Sequence, residues 1–182
     1  LSEVENERDR DINKAMGLDH LIEVLDASFE EVPYPDNHFD VVWSQDSFLH
    51  SGDREKAIQE AARVLKPGGV FIFTDPMQAD DCPDGVLQPI LDRLHLSSLG
   101  SPAFYRRVAK ENGMEEINFE EHHHQLPRHY GRVLEETKRR EPDLVGKISQ
   151  QYIDRMKQGL QHWVNGGNSG HLAWGIFRFR KV

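Results

Sequence analysis

Three polar segments of the chain each follow a short apolar run that has the composition of a β-strand. They are residues 26–28 (Asp-Ala-Ser), 45–50 (Gln-Asp-Ser-Phe-Leu-His) and 75–78 (Asp-Pro-Met-Gln). In an open α/β sheet, ligands bind beyond the carboxyl ends of the strands. Because all three segments occupy that position, we expect them to line one edge of the sheet and to form a small-molecule site there.

The side chains of these segments allow more than one role. Asp26 could accept a hydrogen bond from an exocyclic amine or a hydroxyl of a nucleoside-like ligand, or it could cap the following turn. Gln45 and Asp46 offer an amide and a carboxylate at a strand end, or local hydrogen bonds within a turn. Pro76 and Met77 are apolar where the sheet edge should be polar, which indicates a pocket wall; an ordinary core methionine fits Met77 equally well.

Two further polar clusters lie in the second half of the chain. Arg128, His129 and Tyr130 stand at the start of a predicted helix, where the arginine could bind a carboxylate and the histidine or tyrosine could hold an amine. A solvated helix start is the alternative. Residues 122–124 are three consecutive histidines. Since consecutive residues of a strand point to alternate faces, they cannot converge on one ion without a bend, and no metal site is expected.

Composition narrows the range of functions. The chain has 182 residues and a net charge of −9, which argues against a nucleic-acid backbone or an anionic membrane as the main partner. No apolar run reaches the roughly 18–20 residues of a membrane span. The single cysteine, Cys82, excludes an internal disulfide framework and is typical of a reducing compartment, so we expect a cytoplasmic protein. The absence of Cys-x-x-Cys, His-Glu-x-x-His, Walker and Gly-x-Ser-x-Gly motifs disfavours zinc, nucleoside triphosphate and serine-hydrolase chemistry.

Hydrophobic spacing and helix caps predict the elements that position these residues. A capping box at Ser2 and Glu5 predicts a helix to about Met16. The order strand, loop, strand, helix, strand over residues 21–74 predicts an α/β fold with a parallel sheet, and the apolar strand at 39–44 should be buried. The predicted strands are 21–25, 39–44, 70–74, 114–120 and 172–180; the later helices are 53–65, 86–96, 102–112, 127–140 and 149–164, with a glycine-rich loop at 166–170.

Several stretches together resemble one family. Residues 65–69 (Leu-Lys-Pro-Gly-Gly), with the strand that follows, resemble the helix–turn–strand element of class I S-adenosylmethionine-dependent methyltransferases. Residues 39–42 resemble the fourth strand of that class. Over essentially its whole length the chain is similar to the sarcosine/dimethylglycine N-methyltransferases. The more specific matches are residues 43–53, 73–81, 125–130 and 167–179.

The resemblance implies a function and a set of site residues. Members of this family use S-adenosylmethionine to methylate sarcosine and N,N-dimethylglycine, which yields glycine betaine. Because methyl transfer is an in-line displacement at a sulfonium, the protein supplies proximity and alignment, and no catalytic side chain is assigned. The implied cofactor-binding residues are Asp26, Ala27, Ser28, Gln45 and His50. The implied substrate-binding residues are Trp43, Pro76, Met77, Arg128, His129 and Tyr130; of these, Trp43 and Met77 would be apolar walls and Arg128 would hold the substrate carboxylate.

One feature departs from the family pattern. The sequence has no Gly-x-Gly loop after a strand, and such a loop cradles the cofactor in class I methyltransferases. The chain also begins at Leu1, directly on a helix-start signal. We therefore expect a partial methyltransferase domain that lacks the first two strands and carries a helical insert (121–170) before the last strand. This chain alone should bind S-adenosylmethionine weakly or not at all. The alternatives are another small-molecule methyltransferase and a catalytically inactive fragment.

Overall fold

The computed structural model describes residues 2–182, so Leu1 and the expectation attached to it lie outside the described residues. Helices and strands alternate as far as Thr74, and beyond it elements of the same kind often follow one another. The helices are α1 (Glu3–Ala15), α2 (Arg54–Val64), α3 (Gln88–Leu94), α4 (Pro102–Glu111), α5 (Gln125–Leu144) and α6 (Gln150–Asn168). The strands are β1 (Phe39–Gln45), β2 (Leu65–Thr74), β3 (Met77–Gln78), β4 (Met114–Glu121), β5 (Leu172–Ala173) and β6 (Gly175–Lys181).

The main sheet of the described residues has four strands in the order β1-β2-β6-β4, and β3 pairs with β5 in a separate short sheet. β1 and β2 are parallel, as their sequence predicts, with α2 as the crossover between them. β6 is antiparallel to both β2 and β4, so the sheet as a whole is mixed. Because β1 and β2 run in the same direction, their carboxyl ends meet at one edge, and the polar segments 45–50 and 75–78 are brought together there.

Aromatic side chains join the strands of the sheet to one another and to α4. Phe73 on β2 stacks on Phe177 of β6 with ring centroids 5.0 Å apart, and Phe119 on β4 lies 4.2 Å from Phe177. Tyr105 of α4 packs edge-on against Phe73 at 5.0 Å. Such cross-strand pairs stabilise the register of a sheet. The apolar core therefore holds the strand ends in a constant relation to one another.

The helices α1, α2 and α4 begin at side-chain caps, one of which is the cap expected at Ser2. The side chains of Ser2, Asp53 and Ser101 each accept a hydrogen bond from the backbone N–H three residues later, at 3.3, 3.0 and 3.2 Å. Each bond satisfies a donor that has no partner within the first turn of its helix. The sequence signals for α1, α2 and α4 are therefore sufficient to locate these helices.

The strand predicted at 21–25 is wrong. These residues are irregular, and Leu21 is 73% exposed. Among residues 2–182 no strand lies on the outer side of β1, so the segment has no neighbour with which to form a ladder. Side chains of α1 contact its backbone instead. Arg10 donates to the Val24 carbonyl at 3.2 Å, and Asn6 donates to the Leu25 carbonyl at 3.4 Å.

β1 is less buried than its apolar sequence predicts. Val41 is 55% exposed and Trp43 is 71% exposed. The reason is the strand order, which makes β1 an edge of the sheet formed by residues 2–182. An apolar cleft of about 620 Å³ runs along this edge, with Phe29 and Ala57 among its walls.

The glycine-rich segment predicted as a loop is helical over most of its length. α6 continues through Gly166 and Gly167 to Asn168, and only Gly170, at φ +77°, adopts a left-handed turn conformation. A Cβ at Gly167 would lie 2.6 Å from the Cδ of Pro127 at the start of α5. Close packing of the two helices therefore explains a glycine that the sequence alone attributes to a turn.

Other elements also differ from their predicted extents. β2 begins at Leu65 and not at 70, and α5 covers Gln125–Leu144 and not 127–140. The last strand divides at Trp174, because β5 pairs with β3 while β6 pairs with the main sheet. α3 is shorter than predicted: it ends at Leu94, and the C-cap residue His95 has a left-handed φ of 56°. α5 and α6 lie between β4 and the last strands, the position predicted for a helical insert. In the range 2–182 no helix combines the length and the apolar composition that crossing a membrane requires.

Candidate functional site

A cleft of about 870 Å³ opens at the carboxyl ends of β1 and β2. α5 and α6 cover it from the other side, so sheet, turn and helices all contribute walls. This is the location where open α/β sheets bind ligands. The lining residues are Gln45, Asp46, Leu49, His50, Pro76, Leu94, His122, Gln125, Leu126, Arg128, His129, Tyr130, Arg132, Trp163, Trp174 and Ile176.

Asp46 is held in this cleft through one of its carboxylate oxygens. Thr74 Oγ1 donates to Asp46 Oδ1 at 2.8 Å, and Trp174 Nε1 donates to the same atom at 2.9 Å. The backbone N–H of Asp46 donates to the Thr74 carbonyl at 2.9 Å, and its φ of 49° is left-handed. Such a conformation is uncommon for a residue with a side chain and is concentrated at functional sites. The other oxygen, Oδ2, accepts no hydrogen bond from residues 2–182.

Two arginines of α5 bring positive charge to the cleft. Arg128 and Arg132 are four residues apart, about one turn, so they lie on the same face of the helix. Neither guanidinium forms an ion pair or a side-chain hydrogen bond with another residue of the range 2–182, and both line the cleft. A guanidinium without a protein partner can bind a carboxylate through two parallel hydrogen bonds.

Aromatic rings form the remaining walls. Tyr130 stacks on Trp163 with ring centroids 4.6 Å apart and planes inclined by 20°. Burial, with a smaller contribution from the charge of Asp46, raises the pKa of Tyr130 to about 12, so the phenol stays protonated at neutral pH. The ring centroids of His122 and Trp174 are 6.3 Å apart, and the backbone N–H of His122 donates to the Trp174 carbonyl at 2.9 Å. Faces of aromatic rings attract organic cations, which makes these walls suitable for a methylated ammonium.

A buried carboxyl group lies beneath the cleft. Asp75 follows β2 and is 0% exposed. Its Oδ2 accepts a hydrogen bond from the Tyr105 hydroxyl at 2.6 Å, and its Oδ1 accepts one from the Leu49 backbone N–H at 3.0 Å. Burial raises the pKa of Asp75 to about 7, outweighing the lowering by these two bonds. Asp75 does not line the cleft; it holds Leu49, which does, next to Pro76.

The structure brings together some of the residues that the sequence nominates and separates others. Those that line the cleft are Gln45, His50, Pro76, Arg128, His129 and Tyr130. Those that do not line it are Asp26, Ala27, Ser28, Trp43 and Met77. Two of the three polar segments thus share the expected edge of the sheet, and the expectation that the third joins them is corrected.

The segment 26–28 lies apart because the residues before it do not join the sheet. The carboxylate of Asp26 accepts a hydrogen bond from Asn6 Nδ2 at 2.6 Å and another from Arg10, and these bonds lower the pKa of Asp26. The hydroxyl of Ser28 accepts a hydrogen bond from the Glu30 backbone N–H at 3.1 Å. Both side chains are therefore engaged with the protein in this structure, but Asp26 binds side chains of α1 and does not cap the turn that follows it.

Trp43 and Met77 are placed differently from the two apolar walls expected of them. Trp43 precedes the end of β1 by two residues, a distance of about 7 Å along a strand, and lines the apolar cleft at the sheet edge. Met77 is 0% exposed and belongs to the core beside Ala173. Its burial agrees with the core-methionine alternative and leaves Pro76 as the apolar wall at this point.

The cleft residues that were given no role from the sequence include Arg132, Trp163 and Trp174. Arg132 carries a usable signal, the four-residue spacing from Arg128. Trp163 has the spacing of an ordinary core residue of α6, and Trp174 that of a strand residue. Only the division of the last strand shows that Trp174 reaches the end of β1.

The three consecutive histidines occupy the turn between β4 and α5. His122 lines the cleft, while His123 lies 3.2 Å from the carboxylate of Glu121. Over the described range, no group of three or more His, Cys, Asp or Glu side chains is arranged to hold a metal ion.

Comparisons with known proteins agree with this architecture. A family model described as a methyltransferase domain matches residues 2–73. A solved Galdieria sulphuraria protein described as a sarcosine dimethylglycine methyltransferase is 42% identical, with a TM-score of 0.94 over 100% of this chain and 67% of its own. Geranyl diphosphate C-methyltransferase from Streptomyces coelicolor, at 12% identity, shares the fold, with a TM-score of 0.79 over 100% of this chain and 60% of its own. The fold is thus that of the class I S-adenosylmethionine-dependent methyltransferases.

Two curated relatives are more similar still in sequence. Sarcosine/dimethylglycine N-methyltransferase from Halorhodospira halochloris is 68% identical, and that from Aphanothece halophytica is 56% identical. Each alignment covers 100% of this chain and 65% of the relative, so the chain spans less than two thirds of their length. The chain belongs to the sarcosine/dimethylglycine methyltransferase family.

Proposed function

We propose that the protein methylates the nitrogen of sarcosine and N,N-dimethylglycine, with S-adenosylmethionine as the methyl donor, to give glycine betaine. The observation that carries the proposal is the distribution of charge in the cleft. Arg128 and Arg132 offer unpaired guanidinium groups on α5, and Asp46 offers a carboxylate after β1. Both substrates are small zwitterions with a carboxylate and an ammonium group, which this pattern complements. The 68% identity to the Halorhodospira halochloris enzyme supports the same substrates.

The reaction needs alignment more than covalent catalysis. When bound, S-adenosylmethionine supplies an electrophilic methyl group on a sulfonium. The substrate nitrogen must first lose a proton to water, since only its lone pair can form the new N–C bond. Arg128 and Arg132 would hold the substrate carboxylate, and the faces of Tyr130 and Trp174 would flank the nitrogen. The protein thereby orients the amine and keeps water out of its path.

Gln45 and His50 are the residues proposed to contact the methyl donor. Both are exposed polar side chains in the cleft: Gln45 is the last residue of β1 and His50 lies in the turn that follows, and that position supports the proposal. The carboxylate of Asp26 is engaged by Asn6 and Arg10, so the cofactor-binding role that the family resemblance implies for it has no support from the cleft. We assign no step of the reaction to that segment.

Residues 121–170 are proposed to act as the substrate-binding part of the domain. α5 and α6 support this role because they supply Arg128, Arg132 and Trp163 to the cleft. A cytoplasmic location completes the proposal, and the single cysteine, Cys82, supports it.

The test is a methyl-transfer assay on a chimera in which residues 2–182 replace the matched part of the Halorhodospira halochloris enzyme. With labelled S-adenosylmethionine, we expect label in dimethylglycine when sarcosine is supplied and in glycine betaine when dimethylglycine is supplied. Phosphoethanolamine serves as the control amine, because it carries a primary amine and has a phosphate in place of the substrate carboxylate. Transfer to phosphoethanolamine and not to sarcosine would assign the chain to a different small-molecule methyltransferase activity. The 182-residue chain, assayed in parallel, tests the alternative of an inactive fragment.

A further inference from the structure

Asp46 is the single carboxylate among the described residues that line the cleft. Its Oδ1 is already shared by Thr74 and Trp174, which approach from β2 and from the break between β5 and β6. Its Oδ2 has no partner within residues 2–182. The carboxylate is thus anchored through one oxygen, which leaves the other available to a ligand in the cleft.

We propose that Asp46 Oδ2 accepts a hydrogen bond from the N–H of the substrate ammonium, and that this bond makes the cleft select sarcosine and dimethylglycine over glycine betaine. The inference deepens the proposed function, because it concerns the same cleft and the same substrates. It assigns Asp46 as a specificity-determining residue that touches the substrate.

The selection follows from counting N–H groups. The ammonium of sarcosine has two, that of dimethylglycine has one, and the trimethylammonium of glycine betaine has none. Charge attraction to Asp46 is common to all three, and so is attraction to the faces of Tyr130 and Trp174. A charge-assisted hydrogen bond is available only to the first two. Each completed methylation therefore removes a donor, and the last one leaves a product that Asp46 holds less tightly than either substrate.

The substitution Asp46→Asn isolates this role. The Oδ1 of asparagine can still accept the hydrogen bonds of Thr74 and Trp174, and asparagine tolerates a left-handed φ as well as aspartate does. Only the atom at the position of Oδ2 changes, from a charged acceptor to an N–H₂ donor, which cannot accept a hydrogen bond from an ammonium. The indole N–H resonance of Trp174 and the thermal unfolding midpoint show whether the fold and the anchoring bonds are retained.

The experiment titrates the 182-residue chain and its Asp46→Asn variant with dimethylglycine and with glycine betaine, which differ by one N–H. For the unsubstituted chain we expect tighter binding of dimethylglycine. For Asp46→Asn we expect dimethylglycine affinity to fall about tenfold and glycine betaine affinity to fall much less, so that the preference disappears. Asp84→Asn removes one exposed carboxylate outside the cleft and should leave both affinities unchanged.

Failure of this inference and failure of the proposed function give different results. A variant that keeps the preference for dimethylglycine, or an unsubstituted chain that binds neither ligand, overturns the role of Asp46. In both cases methyl transfer by the chimera can still support the proposed function. Conversely, a second combination is a chimera that transfers no methyl group to sarcosine or dimethylglycine and a titration in which the preference depends on Asp46. That combination refutes the proposed activity and supports the role of Asp46 in ligand binding.

Discussion

The hydroxyl of Tyr105 donates a 2.6 Å hydrogen bond to Asp75 Oδ2 inside the core. The backbone N–H of Leu49 occupies Oδ1 at 3.0 Å, so both oxygens of this buried carboxyl are engaged. One group therefore joins α4, the turn after β1 and the end of β2. All three meet directly beneath the cleft, and their relation determines where Leu49 and Pro76 stand in its wall.

Asp75 makes stability depend on pH in a defined window. Its pKa is about 7 in the folded chain against a usual 3.8, so the folded state binds a proton more tightly. The stabilisation is fully present below 3.8 and is lost as pH rises through 7. Asparagine at position 75 cannot ionise, so Asp75→Asn should not lose this contribution. As pH rises through the window, we expect the free energy of unfolding of the variant to increase relative to that of the unsubstituted chain. Urea unfolding between pH 4.5 and pH 8 measures the difference; parallel profiles would show that Asp75 ionises normally.

Glu60 has the opposite pH dependence. Arg63 donates to both of its oxygens at 2.8 Å, and the Val32 backbone N–H donates to Oε2 at 2.9 Å. These bonds, led by those of Arg63, lower the pKa of Glu60 from 4.5 to about 2. The stabilisation is therefore present above 4.5 and is lost as pH falls towards 2.

Glu60→Gln should lower the free energy of unfolding by about 2–3 kcal/mol at neutral pH, because a buried charged acceptor is lost. The difference from the unsubstituted chain should shrink in acid, which urea unfolding at pH 7 and pH 3 would show. The control is Asp36→Asn, which removes a carboxylate that is 69% exposed and pairs with the same Arg63. We expect little change there, since exposed ion pairs contribute little. Equal losses in the two variants would contradict the importance of burial.

Local contacts explain which parts of the fold could be predicted from the sequence. A cap such as Asp53 acts within one turn, and the apolar spacing of α2 depends on that helix alone. The strand 21–25 is different, because its composition suits a strand but pairing requires a neighbour that residues 2–182 do not provide. Gly167 has the same ambiguity, since a glycine before a turn and a glycine under Pro127 look alike in a sequence.

The residues of the candidate site also divide into those predictable from local sequence and those that depend on distant contacts. Gln45, His50 and Pro76 could be predicted because every parallel strand presents its carboxyl end at one edge. Trp174 could not, because its position depends on β5 pairing with β3 before β6 enters the main sheet. The orientation of Asp46 in turn depends on Trp174, so a carboxylate visible in the sequence acquires its role only in the folded chain.

Two glycines on neighbouring helices test the packing of α5 against α6. Gly167→Ala places a methyl group 2.6 Å from Pro127 Cδ, and we expect a loss of about 1–3 kcal/mol in the free energy of unfolding from overpacking. The matched control is Gly131→Ala in α5, where the nearest atom, in Val164, is 3.9 Å away. Alanine is the better helix former, so this variant should gain about 0.5–1 kcal/mol. Urea unfolding of both variants measures the contrast, and a change of the same sign in both would contradict it.

Arg128 should act on substrate affinity and not on the chemical step. In the chimera, Arg128→Ala is expected to raise the KM for dimethylglycine about tenfold to a hundredfold with kcat within about twofold, because a carboxylate contact is lost in substrate and transition state alike. Arg128→Lys keeps the charge but not the paired hydrogen bonds. Its KM for dimethylglycine should therefore lie between that of the unsubstituted chimera and that of Arg128→Ala. Lys138→Ala, a loss of charge on the same helix outside the cleft, is the control.

A ligand without a carboxylate separates this role of Arg128 from general electrostatics. Dimethylaminoethanol has the methylated amine of dimethylglycine but a hydroxyl in place of the carboxylate. If Arg128 binds the carboxylate, inhibition of the chimera by dimethylaminoethanol should be unchanged in Arg128→Ala, while the KM for dimethylglycine rises. Removal of a positive charge that merely repels the ammonium would strengthen inhibition instead. A fall in kcat without a change in KM would place Arg128 outside the substrate contact and leave Arg132 as the remaining cation of the cleft.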